Sequence, residues 1–247
     1  MLAAPAAQKR LLDLQRLDTA ISQLEHRRRA LPELAEIAAA QKVRARMGEE
    51  IVANRTQVSD LELEVAKAES DLVPVRERKV RDQKRVDDGS VSDPKQLNAL
   101  LAEIQHLATR INDLEDVELD AMERLEAATA TRDALAARRA DGDTQLRRLL
   151  ATRDEQFAEI DAELAQLTAQ RAGVAGELPA ELVALYDRIR PRAGGLGAAA
   201  LVQRRCSGCR LDITANDLDR YRAAGPDEVL RCEECDRILV RGAESGL

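Results

Sequence analysis

The stretch Lys84-Arg-Val-Asp-Asp-Gly-Ser-Val-Ser-Asp-Pro94 decides how the rest of the chain is read. Lys84 and Arg85 stand where cations favour a helix C-terminus, and Gly89 can take the left-handed cap. Asp93 then has the chemistry of an N-cap, with Pro94 at the first helical position and Gln96 three residues past the cap. One helix therefore ends and another begins within a few residues, which makes about 87–94 a hairpin tip.

Upstream of the tip, Leu14, Leu17, Ile21, Leu24 and Leu31 alternate in steps of three and four, with Arg28 filling one position. The alternation returns at Ile51, Asn54, Val58, Leu61, Val65, Ala68, Leu72 and Val75, shifted by a register slip between about Ala35 and Ile51. Pro32 and Gly48 bracket the slip; Pro32 is expected to break the helix and Pro74 to kink it. Downstream, one unbroken heptad grid runs from Leu97 through Ile104, Ile111, Leu125, Leu146 and Ile160 to Leu167. Each arm of ~80 residues extends roughly 120 Å at the helical rise. Arms of matched length joined by a short turn pack as an antiparallel pair. The expected fold is mainly α, a long antiparallel coiled-coil hairpin over 1–176. Placing the tip near Gly89–Ser90 sets Gly142 opposite Ala40, where both arms are weakly patterned.

Gly173 to Gly176 should close the second arm. A short helix follows with Leu178, Leu182, Leu185 and Ile189 on one stripe and Pro191 stopping it. Beyond the Gly194–Gly197 connector the period changes. Ala200–Arg205 reads as a strand, Asn216–Ala223 as a helix, and Val229–Arg231 and Ile238–Val240 as strands. This module, 177–247, is too small to fold without a staple.

The staple is Cys206-Ser-Gly-Cys209 with Cys232-Glu-Glu-Cys235, two C-x-x-C pairs separated by 22 residues. Four thiolates close a tetrahedral shell, the donor set of a structural zinc, whereas a catalytic zinc keeps one position open. A thioredoxin-like pair would need a helix N-terminus inside a βαβ unit, which is missing. One structural Zn2+ on Cys206, Cys209, Cys232 and Cys235 is the expectation, in a reducing cytoplasm where disulfides are disfavoured.

Composition limits the rest. Of 247 residues a third are charged and only Phe157, Tyr186 and Tyr221 are aromatic, as in long helices rather than a large globular core. The net charge of −7 sits mainly in 91–190, with 12 cations against 20 carboxylates. No signal peptide or membrane span is expected. His26 and His106 lie off the seam, and the carboxylates from Asp113 to Glu123 are spread round a helix, so neither suggests an active site. Gly194-Gly-Leu-Gly197 lacks the lysine of a phosphate loop. No enzyme and no small-molecule substrate is expected. Arg204, Arg205, Arg210 and Arg237, with Tyr221, are candidates for a partner surface on the ribbon or for gripping phosphates. Against nucleic acid stand the single ribbon aromatic and the acidic Glu233 and Glu234. Leu211, Ile213, Leu218, Leu230 and Ile238 supply apolar side chains that either build the ribbon core or face a partner.

Val91-Ser-Asp-Pro94, the Leu178-Pro…Tyr186-Asp-Arg-Ile189 helix, Cys206-Ser-Gly-Cys209 and Cys232-x-x-Cys235 leading to Arg237-Ile-Leu239 resemble bacterial coiled-coil proteins with a C-terminal C4-type zinc ribbon. The resemblance covers most of the chain and implies a kinked helical hairpin with the ribbon at its base. Relatives in flagellated bacteria are chaperone-like binders of the sigma-54 factor and of export components, and one is linked to transcript binding. For this chain the resemblance implies a scaffold or adaptor for protein partners, such as a sigma factor or another transcription component. The alternative is an RNA- or DNA-binding protein. Asp236 departs from the glycine that relatives often carry after the last cysteine.

Overall fold

Helix dominates because the heptads leave few residues without an assigned face. The computed structural model describes all residues, Met1–Leu247. Helix α1 spans Pro5–Arg29, α2 Pro32–Asp87 and α3 Pro94–Gly176. Pro5 and Pro32 each stand at the first helical position, where a missing N–H costs nothing. The break at Pro32 is as expected. Pro74 and Gly48 lie inside α2, and Gly142 inside α3, with the helical run continuous through each.

At the tip, Gly89 has φ +65 and Asp93 accepts the Lys95 N–H at 3.1 Å through its carboxylate, so the cap is made as the residues dictate. The chain forms two compact units. In Glu36–Leu149, the α2 and α3 seams meet through Val58, Leu61, Leu125 and Ala128, and nearer the tip through Leu72, Val75, Ile111 and Leu114. Arg124 pairs with Glu64, Arg76 with Glu115 and Arg78 with Glu103 across the arms.

The other unit comprises Met1–Ala35 and Leu150–Leu247. It contains helix α4 (Ala180–Ile189), a 3-10 turn (Arg190–Ala193), strands β1 (Ala198–Val202) and β2 (Arg205–Cys206), helix α5 (Ala215–Ala223), and strands β3 (Leu230–Arg231) and β4 (Ile238–Val240). The sheet order is β2-β1-β4-β3, with β1 and β4 parallel and the other pairs antiparallel. The single strand expected at Ala200–Arg205 is corrected to a tight hairpin. Gln203 (φ 48) and Arg204 (φ 63) turn the chain between β1 and β2, and the Gln203 and Arg204 N–H groups donate to the carbonyls of Glu244 and Ser245.

One core in this unit joins Leu11 and Leu14 of α1 to Leu182, Tyr186 and Ile189 of α4 and to Ile238 and Val240 of β4. The extreme N-terminus belongs to the ribbon. Ala3 N–H donates to Asp227 O at 2.7 Å and Val229 N–H to Met1 O at 3.1 Å, adding an edge segment that no local pattern announced.

Candidate zinc centre and its surroundings

The two knuckles are copies of one backbone device. Cys206 N–H donates to Leu211 O at 3.0 Å and Arg210 N–H to Cys206 O at 2.8 Å. In the second, Cys232 N–H donates to Arg237 O at 2.9 Å and Asp236 N–H to Cys232 O at 2.7 Å. Each turn needs a left-handed residue directly after its second cysteine, Arg210 (φ 65) and Asp236 (φ 62). That is the physical reason glycine suits the position, and aspartate tolerates it better than arginine.

The four sulfurs lie within 4.8 Å of one another. Cys206 Sγ to Cys235 Sγ is 3.9 Å and Cys209 Sγ to Cys232 Sγ is 3.8 Å, far beyond a disulfide bond. A tetrahedron with metal–sulfur bonds of about 2.3 Å has edges of about 3.8 Å. The sulfurs are thus already spaced for one closed-shell ion. Both knuckles point backbone N–H groups at sulfur: those of Gly208 and Cys209 at Cys206, and those of Glu234 and Cys235 at Cys232. Burial still pushes both of these thiols up. Burial opposes ionisation at Cys235 as well, but donors from Arg237, backbone and side chain, and from neighbouring thiols pull it down to about 7. Thiolates in so buried a cluster require a cation, and a C4 zinc ribbon holding one structural zinc fits the donor set.

The remaining candidates separate by burial. Tyr221 is 2% exposed and donates its hydroxyl to Arg231 O at 2.8 Å, so it is a core residue with no ring face for a partner or a base. Arg237 also leaves the partner surface: its guanidinium donates to Leu196 O at 3.0 Å and Ala193 O at 2.5 Å, tying the second knuckle to the connector. Arg204 donates to Gly246 O at 3.0 Å, and Arg205 pairs with Asp212 at 2.9 Å. Arg210 is exposed and makes no ion pair. Ile213, Leu218, Leu230 and Ile238 are buried, leaving Leu211, half exposed beside Arg210, as the outward apolar residue of that set. Glu233 of the second knuckle is paired with Arg220 and Asp236 with Arg231.

A buried polar cluster also stands in this unit that the sequence reading did not pick out. Asp18, 1% exposed, accepts from Tyr186 Oη at 2.7 Å and from Arg171 at 2.8 Å, and pairs with Arg190 at 3.0 Å. Gln15 Oε1 accepts the Gly197 N–H at 2.7 Å, while its amide donates to Gly195 O at 3.0 Å. The available signal was two polar residues, Gln15 and Asp18, interrupting the apolar run from Leu11 to Ile21.

Comparison with known proteins agrees with this construction. Residues 14–194 match the model of the CT398-like coiled coil hairpin domain, and 205–239 that of the C4-type zinc ribbon domain. An uncharacterised protein of Mycobacterium tuberculosis is 37% identical over 98% of both chains. A solved Mycobacterium smegmatis structure superposes with a TM-score of 0.83 at 32% identity, covering 98% of this chain and 100% of that one. CT398 from Chlamydia trachomatis shares the fold, with a TM-score of 0.70 at 19% identity over 96% of this chain and 98% of its own. With its helical hairpin matched over most of its length and its four sulfurs gathered in a C4 ribbon, the chain belongs to the CT398-like coiled-coil hairpin family.

Proposed function

We propose that this chain is a non-enzymatic interaction scaffold, working in the cytoplasm, that presents its hairpin and zinc ribbon to protein partners, one of them a component of the transcription machinery. The observation that carries the reading is the closed set of four cysteine sulfurs: it leaves a metal no open position for substrate, so zinc serves folding. Cys206, Cys209, Cys232 and Cys235 are its ligands. His26 and His106 are exposed on helices, away from the cysteine cluster. No helix is long and apolar enough to cross a membrane. On the ribbon, Leu211 with Arg205 and Arg210 is the outward surface a partner would meet.

Protein is favoured over nucleic acid because Tyr221 is buried and Arg205 is already paired with Asp212, which leaves little for base stacking or phosphate contact. The test is a photo-crosslinking amino acid at position 211 of the full chain in native cells. Protein adducts that identify a transcription component, and that vanish with Cys232→Ser, are the expected result. RNA or DNA adducts with steep salt dependence would replace this reading with nucleic-acid binding.

A further inference from the structure

The back of α2 does not look like the back of an ordinary coiled-coil arm. With the buried Val58, Leu61, Ala68 and Leu72 facing α3, the outermost positions of the heptad run from Val52 to Val80. Such positions normally carry charge, because they face only water. Here the strip holds Val52, Leu63, Ala66, Val73 and Val80 with threonine and serine between them, and Glu77 is its single charge. Val52, Leu63 and Val80 are about two-thirds exposed (66%, 68% and 66%) and Val73 48%. The spacing, alternating three and four, is that of a second helix-packing seam on the side of α2 away from the first.

The charge around this strip says what kind of helix would cover it. Asp60, Glu62 and Glu69 border its middle, against Lys67 alone. The segments 60–72 and 113–126, which pack side by side, hold twelve carboxylates and two cations, a net of −10. One of those cations, Arg124, is already paired with Glu64 and Asp120. A second copy of the chain would bring an equal negative field against this one. A helix with an apolar seam and basic flanks would neutralise it.

We infer that the back of α2 between Val52 and Val80 is a docking strip for an amphipathic, basic-flanked helix of a protein partner. This rests on the scaffold reading and adds to it a second surface, separate from the ribbon, and the chemistry of its occupant. The strip is about 42 Å long at the helical rise and roughly 10 Å wide. It would bury roughly 800 Å² in total, the size of a transient contact. Binding should accordingly be micromolar rather than nanomolar.

The test uses the full, zinc-loaded chain and a labelled 28-residue helical peptide, with leucine at both seam positions and lysine on the flanks. The same peptide with glutamate flanks is its counterpart. Fluorescence anisotropy should give micromolar binding of the lysine peptide, at least tenfold weaker binding to the double variant Leu63→Gln, Val73→Gln, and no binding of the glutamate peptide. Both substitutions are on exposed side chains and leave net charge unchanged, and circular dichroism checks that the fold holds. Equal binding to parent and double variant would mean attraction by charge alone and would overturn the strip. So would a parent dimer in sedimentation that the double variant abolishes, since a second copy would then be the occupant. Protein crosslinks from position 211 that persist in either event would leave the scaffold reading standing without the strip.

Discussion

Gly197 sits against the aromatic ring that closes the base of the ribbon. A Cβ there would come within 2.7 Å of the Tyr186 ring and 2.9 Å of its carbonyl oxygen, and backbone cannot swing aside. Gly197→Ala should therefore destabilise by about 1–3 kcal/mol, the range for overpacking, read as a drop in the urea midpoint. The Asp18 cluster carries a larger effect. Asp18→Ala would leave Arg171 and Arg190 partly buried without their carboxylate, and a loss of about 3–5 kcal/mol is expected. Burial first, and then the hydrogen bond to Asp18, hold the Tyr186 phenol far above its ordinary range. A raised folded pKa stabilises the protein below the unfolded value of 10.0, and that contribution is lost as pH climbs above it. Stability measured from pH 8 upward should fall less steeply in Tyr186→Phe than in the parent; identical slopes would show that the phenol is not held neutral by the fold. At Arg210 the change runs the other way. Its left-handed backbone costs a side chain roughly 1 kcal/mol, so Arg210→Gly should raise the melting temperature while the zinc content stays the same.

Within the elements, Asn54 is the polar residue in the buried seam of α2. Its Nδ2 donates to Ala128 O at 3.1 Å, but the buried Oδ1 has no partner. An apolar residue there removes that penalty, so Asn54→Leu is expected to stabilise by about 1–3 kcal/mol. The cost is in register, because a lone polar seam residue penalises shifted pairings. Disulfide trapping between cysteines introduced at Leu61 and Leu125 should give a single product in the parent and lower yield in Asn54→Leu. An unchanged yield would show that the apolar layers alone set the register. The second arm was read correctly from heptads because a seam repeats every turn and its partners lie at predictable heights. The β1–β2 turn was missed because it depends on Gln203 and Arg204 meeting the carbonyls of Glu244 and Ser245, some forty residues away.

At the scale of the molecule, zinc should matter to one unit and not the other. The knuckle sulfurs pack in one core with Leu201, Ile213, Leu218 and Tyr221, so metal loss removes the support of that core. The full chain should hold one zinc by elemental analysis, and Cys232→Ser should release it. Hydrogen exchange should then accelerate through β1 to β4 and α5, while the α2 and α3 segments of Glu36–Leu149 keep their protection. Loss of protection throughout Glu36–Leu149 would contradict this division.

What the sequence determined by itself is whatever rests on local geometry and short spacings. The tip at Lys84–Pro94, the break at Pro32, the two seams and the pairing of two C-x-x-C knuckles all follow from chemistry within a few turns of the chain. The tertiary structure alone decided which apolar ribbon residues became core, leaving only Leu211 of that set outside. It also turned Arg237 and Tyr221 from surface candidates into structural residues, and brought Met1–Ala3 and the Gln15–Asp18 pair of α1 into the ribbon's surroundings. The reason is sequence separation. Gln15 meets Gly197 across 182 residues and Asp18 meets Tyr186 across 168, and no local pattern specifies which distant group a buried polar side chain will find.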